Sequence, residues 1–146
     1  MSTNFLYALL QSGSAAAGTG ERRFADAVAV EGVSAAANGS RRAVVLVLGE
    51  ADQDHSTRAP SSIRRYLERI HVPLYVWSLS REKPPKLPPA AEWNEFEDIS
   101  TVGKLHDAAS RVQNDLSRQS IVWIEGRHLP QDITLVDAGD GIGIAR

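Results

Sequence analysis

The feature that most constrains the fold of this chain is AVVLVL at residues 43–48, an uninterrupted apolar run rich in valine. Two arginines precede it, and the polar stretch GEADQDHS follows it at 49–56. A continuous apolar run of this length, bounded by turn residues, is typical of a strand that is covered on both faces, as in a parallel sheet. The sequence therefore predicts a buried strand that ends in a cluster of acidic groups.

Helical and strand patterns alternate along the rest of the chain. The spacing of apolar residues predicts helices at 2–10, 21–37, 60–70 and 102–118, and strands at 73–79 and 120–126. Strands that are separated by helices form a parallel sheet with helices on its faces, because such crossovers are right-handed. The expected fold class is therefore α/β, with a mostly parallel sheet of about three or four strands.

The length of 146 residues fits one domain, and an apolar content of 42% is enough for one core. Within it we expect an N-terminal helical segment at 1–40, an α/β core at 41–136 and a flexible tail at 137–146. Four prolines between residues 81 and 93 predict a loop or an extended segment on the surface. The predicted helix at 21–37 has a sparse apolar face, formed by Phe24, Ala27, Val28 and Ala35.

Composition excludes several classes of function. The 16 basic and 18 acidic residues leave a net charge of -2, which gives no reason to expect a nucleic acid or an anionic membrane as partner. Cysteine is absent, so disulfides and thiolate metal sites are excluded. No stretch approaches the roughly 20 apolar residues of a membrane span. The short apolar N-terminus follows no basic residue, so we expect no secretory signal and, from the chain as written, a cytoplasmic protein.

Three stretches carry a resemblance to a known family: RRAVVLVLGEADQDHS at 41–56, IRRYLERIHVPLYVWSL at 63–79 and KLHDAASRVQNDLSRQSIVWIEG at 104–126. In order and spacing they resemble the second half of a von Willebrand factor type A (VWFA) domain of the bacterial type. The opening STNFLYALL is similar to a helix of that family. The resemblance implies a truncated, doubly wound, Rossmann-like fold and a role in binding or adhesion, often in secreted proteins.

Many VWFA domains bind a divalent cation at the tops of their strands through an Asp-x-Ser-x-Ser motif, a Thr and an Asp. Mg²⁺ suits such a site because it prefers oxygen ligands and retains open positions for a partner's carboxylate. Here Thr3 matches the family's Thr, but Gly49, followed by Glu50, stands in place of the Asp, and Asp-x-Ser-x-Ser is absent. The resemblance thus implies a degenerate metal site, and we expect no cofactor.

The acidic loop still offers candidate ligands, because α/β folds bind ligands at the carboxyl ends of their strands. The candidate metal ligands are Thr3, Glu50, Asp52 and Asp54, with His55 beside them. The alternative interpretation is a solvated loop whose Asp or Ser side chains cap the helix that begins near residue 61. The candidate partner-binding residues are His55, Ser56 and Trp93, and we expect Trp93 to be exposed or to act as a lid.

The resemblance covers only the second half of the VWFA fold, so it lacks the family's first strand, which lies beside the strand that AVVLVL resembles. Without its neighbour, AVVLVL is expected to present an apolar, unpaired edge, which favours a protein partner or self-association. We therefore predict a non-catalytic protein-binding module. Two alternatives stay open: a metal-dependent hydrolase that uses the loop from Glu50 to His55, and a truncated product without independent function.

Overall fold

The computed structural model describes residues 21–37, 42–49, 54–79 and 89–120, together with residue 134. These residues form three α-helices, three strands and one 3-10 helix. The elements, in chain order, are α1 (Phe24–Ala37), β1 (Val44–Leu48), α2 (Pro60–Arg69), β2 (Leu74–Ser78), the 3-10 helix Pro89–Trp93, β3 (Glu97–Asp98) and α3 (Val102–Arg118). The predictions for 2–10, for the tail and for nearly all of 120–126 lie outside the described residues.

The three strands form one parallel sheet in the order β1-β2-β3. β1 pairs with β2 over its whole length, from Val44 opposite Leu74 to Leu48 opposite Ser78. β3 pairs with β2 only at Trp77 and Ser78. The predicted α/β class, with a parallel sheet flanked by helices, is confirmed. β3 itself was not predicted, because two acidic residues carry no strand pattern.

Helices α1 and α2 cover one face of the sheet and share one hydrophobic core with it. The predicted 1–40 segment therefore includes a helix, α1, that packs against the sheet. The buried residues of α1 are Ala25, Val28 and Gly32, whereas Ala27, which the sequence placed on the apolar face, is exposed. A Cβ at position 32 would lie 2.0 Å from Cδ2 of Leu67, so the glycine permits the close approach of α1 to α2.

Helix α3 covers the opposite face of the sheet. Trp77 packs there with Ile99, Ala108, Ala109 and Val112, which confirms that Trp77 is a core residue. The helix begins where the sequence predicted, because the Thr101 hydroxyl accepts a hydrogen bond from the Lys104 amide at 3.3 Å and caps its first turn. Among the described residues, no helix has the length and apolar character needed to span a membrane.

The end of the proline-rich segment differs from the prediction. Residues 89–93 form a 3-10 helix, and Ala90 and Trp93 are 0% and 1% exposed in the core beneath α2. The partner-binding role of Trp93 stays a prediction, but the expectation that its side chain is exposed is wrong. The physical reason is a hydrogen bond. Nε of Arg64 donates to the Trp93 carbonyl at 2.9 Å and holds this segment against α2. Residues 81–88 lie outside the described part of the chain.

Gly32→Ala should destabilise the protein, whereas Gly103→Ala should not. Overpacking costs about 1–3 kcal/mol, and alanine gains up to about 1 kcal/mol over glycine in a helix. At position 32 the new methyl would collide with the buried Leu67, so we expect a net loss of up to about 2 kcal/mol. At position 103 a Cβ meets nothing within 4 Å, so only the helical gain applies. Urea unfolding of both variants checks this, and equal stabilities would contradict the close approach of α1 to α2.

Candidate functional site

The described part of the acidic loop, residues 54–58, lies against the N-terminus of α1. The Asp54 carboxylate accepts hydrogen bonds from the amides of Phe24 at 3.0 Å and Ala25 at 3.1 Å. It also accepts one from the Ser56 amide at 2.9 Å. The first amides of a helix have no partner within the helix, and a carboxylate there also interacts favourably with the helix dipole. Asp54 therefore caps a helix that lies thirty residues earlier in the chain.

Ser56 and Asp26 complete the same junction from both sides. The Asp26 amide donates to Oγ of Ser56 at 3.1 Å, and the Asp26 carboxylate accepts from the Thr57 amide at 3.1 Å. The His55 amide donates to the Arg22 carbonyl at 2.8 Å. The expectation that this loop caps the helix near residue 61 is wrong. That helix, α2, follows Ala59, which offers no side-chain cap, and starts with Pro60, which needs no amide partner.

One of the candidate metal ligands, Asp54, is part of this junction. Both oxygens of Asp54 accept backbone hydrogen bonds, so a cation would have to compete with the cap of α1. Within the described ranges, no group of three His, Asp or Glu side chains is arranged to hold a metal ion. Thr3, Glu50 and Asp52 lie outside those ranges. The metal site stays a prediction, as do the partner-binding roles of His55, which is exposed, and Ser56.

A second surface, which the sequence analysis missed, is a groove of about 440 Å³ beside the N-terminal half of β2. Leu79 donates to the Leu48 carbonyl at 2.9 Å on the β1 side, whereas the Ser78 carbonyl accepts from Ile99 at 2.8 Å on the β3 side. Backbone groups of a strand alternate in direction, so those of Leu74 and Val76 face the β3 side like those of Ser78. β3 pairs only with Trp77 and Ser78, so no described strand lies beside Leu74.

The walls of this groove come from both helical layers. On the α2 side it is lined by Arg64, Leu67 and Glu68, and at its end by residues 95–97. Asn94 has a φ of 66°, a left-handed conformation that asparagine tolerates, and this turn brings the chain back along α2. The Arg64 guanidinium fixes the turn, since its NH2 donates to the Glu95 carbonyl at 2.8 Å. Phe96 is left 38% exposed in the groove.

Tyr75 and Asp115 form the wall on the α3 side. The Tyr75 hydroxyl donates to Oδ2 of Asp115 at 2.7 Å and so ties β2 to α3. Burial of the phenol raises the pKa of Tyr75 well above its ordinary value of 10.0, and the hydrogen bond to Asp115 and the negative charges of Asp115 and Glu97 raise it further. The groove thus has apolar walls, a strand edge at its base and acidic groups at its rim.

The groove depends on the short β3 and on the turn at Asn94, and neither has a periodic pattern in the sequence. The available signal was compositional: WNEFED at 93–98 places two aromatic residues among three acids directly after the proline-rich segment. No protein-family model matches this chain, and no curated protein or solved structure matches it either. The VWFA resemblance and the Rossmann-like topology therefore stay predictions.

Asp54→Ala should destabilise the protein by about 1–2 kcal/mol, as the loss of a helix cap typically does. Urea unfolding measures this loss, and amide hydrogen exchange should quicken at Phe24 and Ala25, whose amides lose their acceptor. Asp107→Ala is the matched control, because Asp107 is exposed within α3, and its change should stay within about 0.5 kcal/mol. Equal stability of the two variants would contradict the capping role of Asp54.

Tyr75 should ionise only at a pH well above the ordinary tyrosine pKa of 10.0. The raised folded pKa means that its contribution to stability is fully present below the unfolded pKa near 10 and is lost as the pH rises towards the folded pKa. In an absorbance titration of the tyrosinate band, the step that belongs to Tyr75 should appear well above the ordinary tyrosine range or only on unfolding. Tyr75→Phe should remove the late step, and an unchanged titration of that variant would refute the assignment.

Proposed function

We propose that the protein is a non-catalytic binding module that takes up an extended segment of a partner protein at the edge of its sheet. The observation that carries the proposal is the groove beside Leu74–Val76, where the strand edge lies at the base of a cleft instead of on a flat surface. A strand edge presents a row of amide and carbonyl groups that another strand can pair with. The cleft adds side-chain walls that such a strand would contact.

The groove offers both kinds of contact that strand addition uses, namely backbone groups and side-chain surface. Main-chain hydrogen bonds supply affinity, and pockets for alternate side chains supply specificity. Leu74 and Val76 direct their backbone groups towards the groove, where Val76 lies at its floor with 2% exposure, and Phe96 offers apolar surface at the wall. Phe96 is one of the exposed large apolar side chains among the described residues, and its ring lies where a bound segment would cover it.

The proposal places the partner beside β2 and not beside β1. Gln119, directly after α3, donates from Nε2 to the Arg42 carbonyl at 3.1 Å and accepts from the Arg42 amide at 3.0 Å. The chain therefore leaves α3 next to the start of β1 and continues from there. Val47 of β1 is 44% exposed, and self-association through the β1 edge stays the alternative form of the same function.

The VWFA resemblance supports the same class of function, since that family consists largely of binding modules. The proposal does not require the degenerate metal site, because the groove uses backbone and side-chain groups of β2, α2 and α3 only. It also assigns the Asp54–Ser56 junction to folding rather than to partner binding. No feature of the described residues favours the hydrolase alternative over a binding role.

Selection of peptides from a random display library against the full chain tests the proposal. Selected peptides should be extended, and their binding should shift the backbone amide signals of Leu74 and Val76. Phe96→Ala should weaken binding about tenfold, the loss expected for one interface anchor. Val102→Ala is the matched control, because Val102 is 84% exposed on α3 and outside the groove, and it should leave binding unchanged.

Two results would contradict the proposal. Failure to select any peptide that shifts the β2 amides would remove the basis for strand addition at this edge. Concentration-dependent light scattering that shows a dimer, together with amide changes confined to β1, would favour self-association through the β1 edge instead.

A further inference from the structure

The groove beside β2 is lined mainly by acids among its charged residues. Among the described residues, Glu68 of α2, Glu95 and Glu97 at its end, and Asp115 of α3 line it, against one basic residue, Arg64. The acids lie on both sides of the strand edge, because α2 and α3 cover opposite faces of the sheet. A segment bound along the edge would therefore meet negative charge on both of its faces.

The basic residue does not neutralise this rim. The Arg64 side chain is 15% exposed, and its guanidinium donates to the carbonyls of Trp93 and Glu95. Its NH1 approaches the Glu95 carboxylate only to 4.0 Å, and that carboxylate is 89% exposed. Arg111 of α3 pairs with Glu97 at 2.8 Å, so Glu97 is the acid whose charge is balanced. Within the described ranges, neither Glu68 nor Asp115 forms an ion pair, and Glu95 has only the long contact with Arg64.

The acidic side chains of the groove contribute to the raised pKa of Tyr75. The negative charges of Asp115 and Glu97 act with burial to raise the pKa of Tyr75, whose ring lines the groove. Charges at the rim of a low-dielectric cleft attract ligands of the opposite sign and exclude those of the same sign. The groove is thus complementary to cationic side chains.

We propose that the groove selects a basic extended segment of a partner protein, with lysine or arginine among apolar residues. The proposal rests on the strand addition proposed above and specifies its ligand. Successive side chains of a strand point to opposite faces. One set of ligand side chains would lie over Glu68 of α2, and the other over Tyr75 of β2 and Asp115 of α3. Apolar stems of lysine or arginine would cover the walls while their charges reach the rim.

The chain itself contains a basic segment that would compete with a partner for the groove. Its basic residues are Arg81, Lys83 and Lys86, which lie outside the described residues. These residues follow Leu79, at the carboxyl end of β2, whereas Leu74 lies at the opposite end. β3 occupies the edge between them, beside Trp77 and Ser78. We therefore assign the groove to a separate partner and make internal occupation an outcome of the test.

The test uses the full chain and three short, end-blocked peptides of alternating sequence, Lys with Val, Ser with Val and Glu with Val. Binding is measured by calorimetry, and contact with the edge by the amide signals of Leu74 and Val76. The Lys peptide should bind at least about tenfold more tightly than the Glu peptide and should weaken in high salt. Glu68→Lys should weaken binding of the Lys peptide about tenfold. Glu31→Lys, on the exposed side of α1, is the matched control and should leave it unchanged.

The outcomes separate the two proposals. Equal binding of all three peptides with shifts at Leu74 and Val76 would overturn the charge selectivity and leave strand addition in place. No binding of any peptide, or binding without shifts at these amides, would overturn both. If replacing Arg81, Lys83 and Lys86 by serine tightens binding of the Lys peptide, the chain's own segment occupies the groove and the assignment to a partner falls. Unchanged binding in that variant supports the partner.

Discussion

The parallel pairing of β1 with β2 is the constraint on which the rest of the structure depends. Five consecutive residue pairs fix the register, from Val44 with Leu74 to Leu48 with Ser78. Because this register sets which side chains point to each face, it directs Leu48 and Val76 towards α1 and α2, and Trp77 towards α3. Two helical layers then become necessary, since both faces of the pair are apolar. The groove is a consequence as well, because β2 begins at Leu74, whereas β3 begins only opposite Trp77.

The junction of Asp54 and Ser56 with α1 is the second contact that joins distant parts of the chain. It holds the first helix against the loop after β1, where that helix can bury Ala25 and Val28 on the sheet. An acidic loop at the carboxyl end of a strand is ordinarily read as a ligand site. Here the described acid of that loop satisfies backbone amides of a helix, which is an equally good use of a carboxylate.

Much of the fold was predictable from the sequence, because it depends on local periodicity. The bounds of α3, the strands β1 and β2, the stripe of α2 and the parallel arrangement all follow from apolar spacing and turn residues. The burial of Trp93 was not predictable, since it depends on the hydrogen bonds from Arg64 across the core. The partner of Asp54 was not predictable either, because a cap that acts over thirty residues leaves no local motif. The groove needs both the short β3 and the turn at Asn94, which are tertiary features.

A strand edge at the base of a cleft differs physically from one on an open surface. On an open surface, any extended chain can pair with the edge, which is why natural sheets protect such edges. Between α2 and α3, a pairing chain must also fit Phe96 and must place its charges against Glu68 and Asp115. A segment with acidic side chains would place like charges against each other at the rim, at a cost in binding free energy. The same acids that attract a basic segment therefore also protect the edge from unselective pairing.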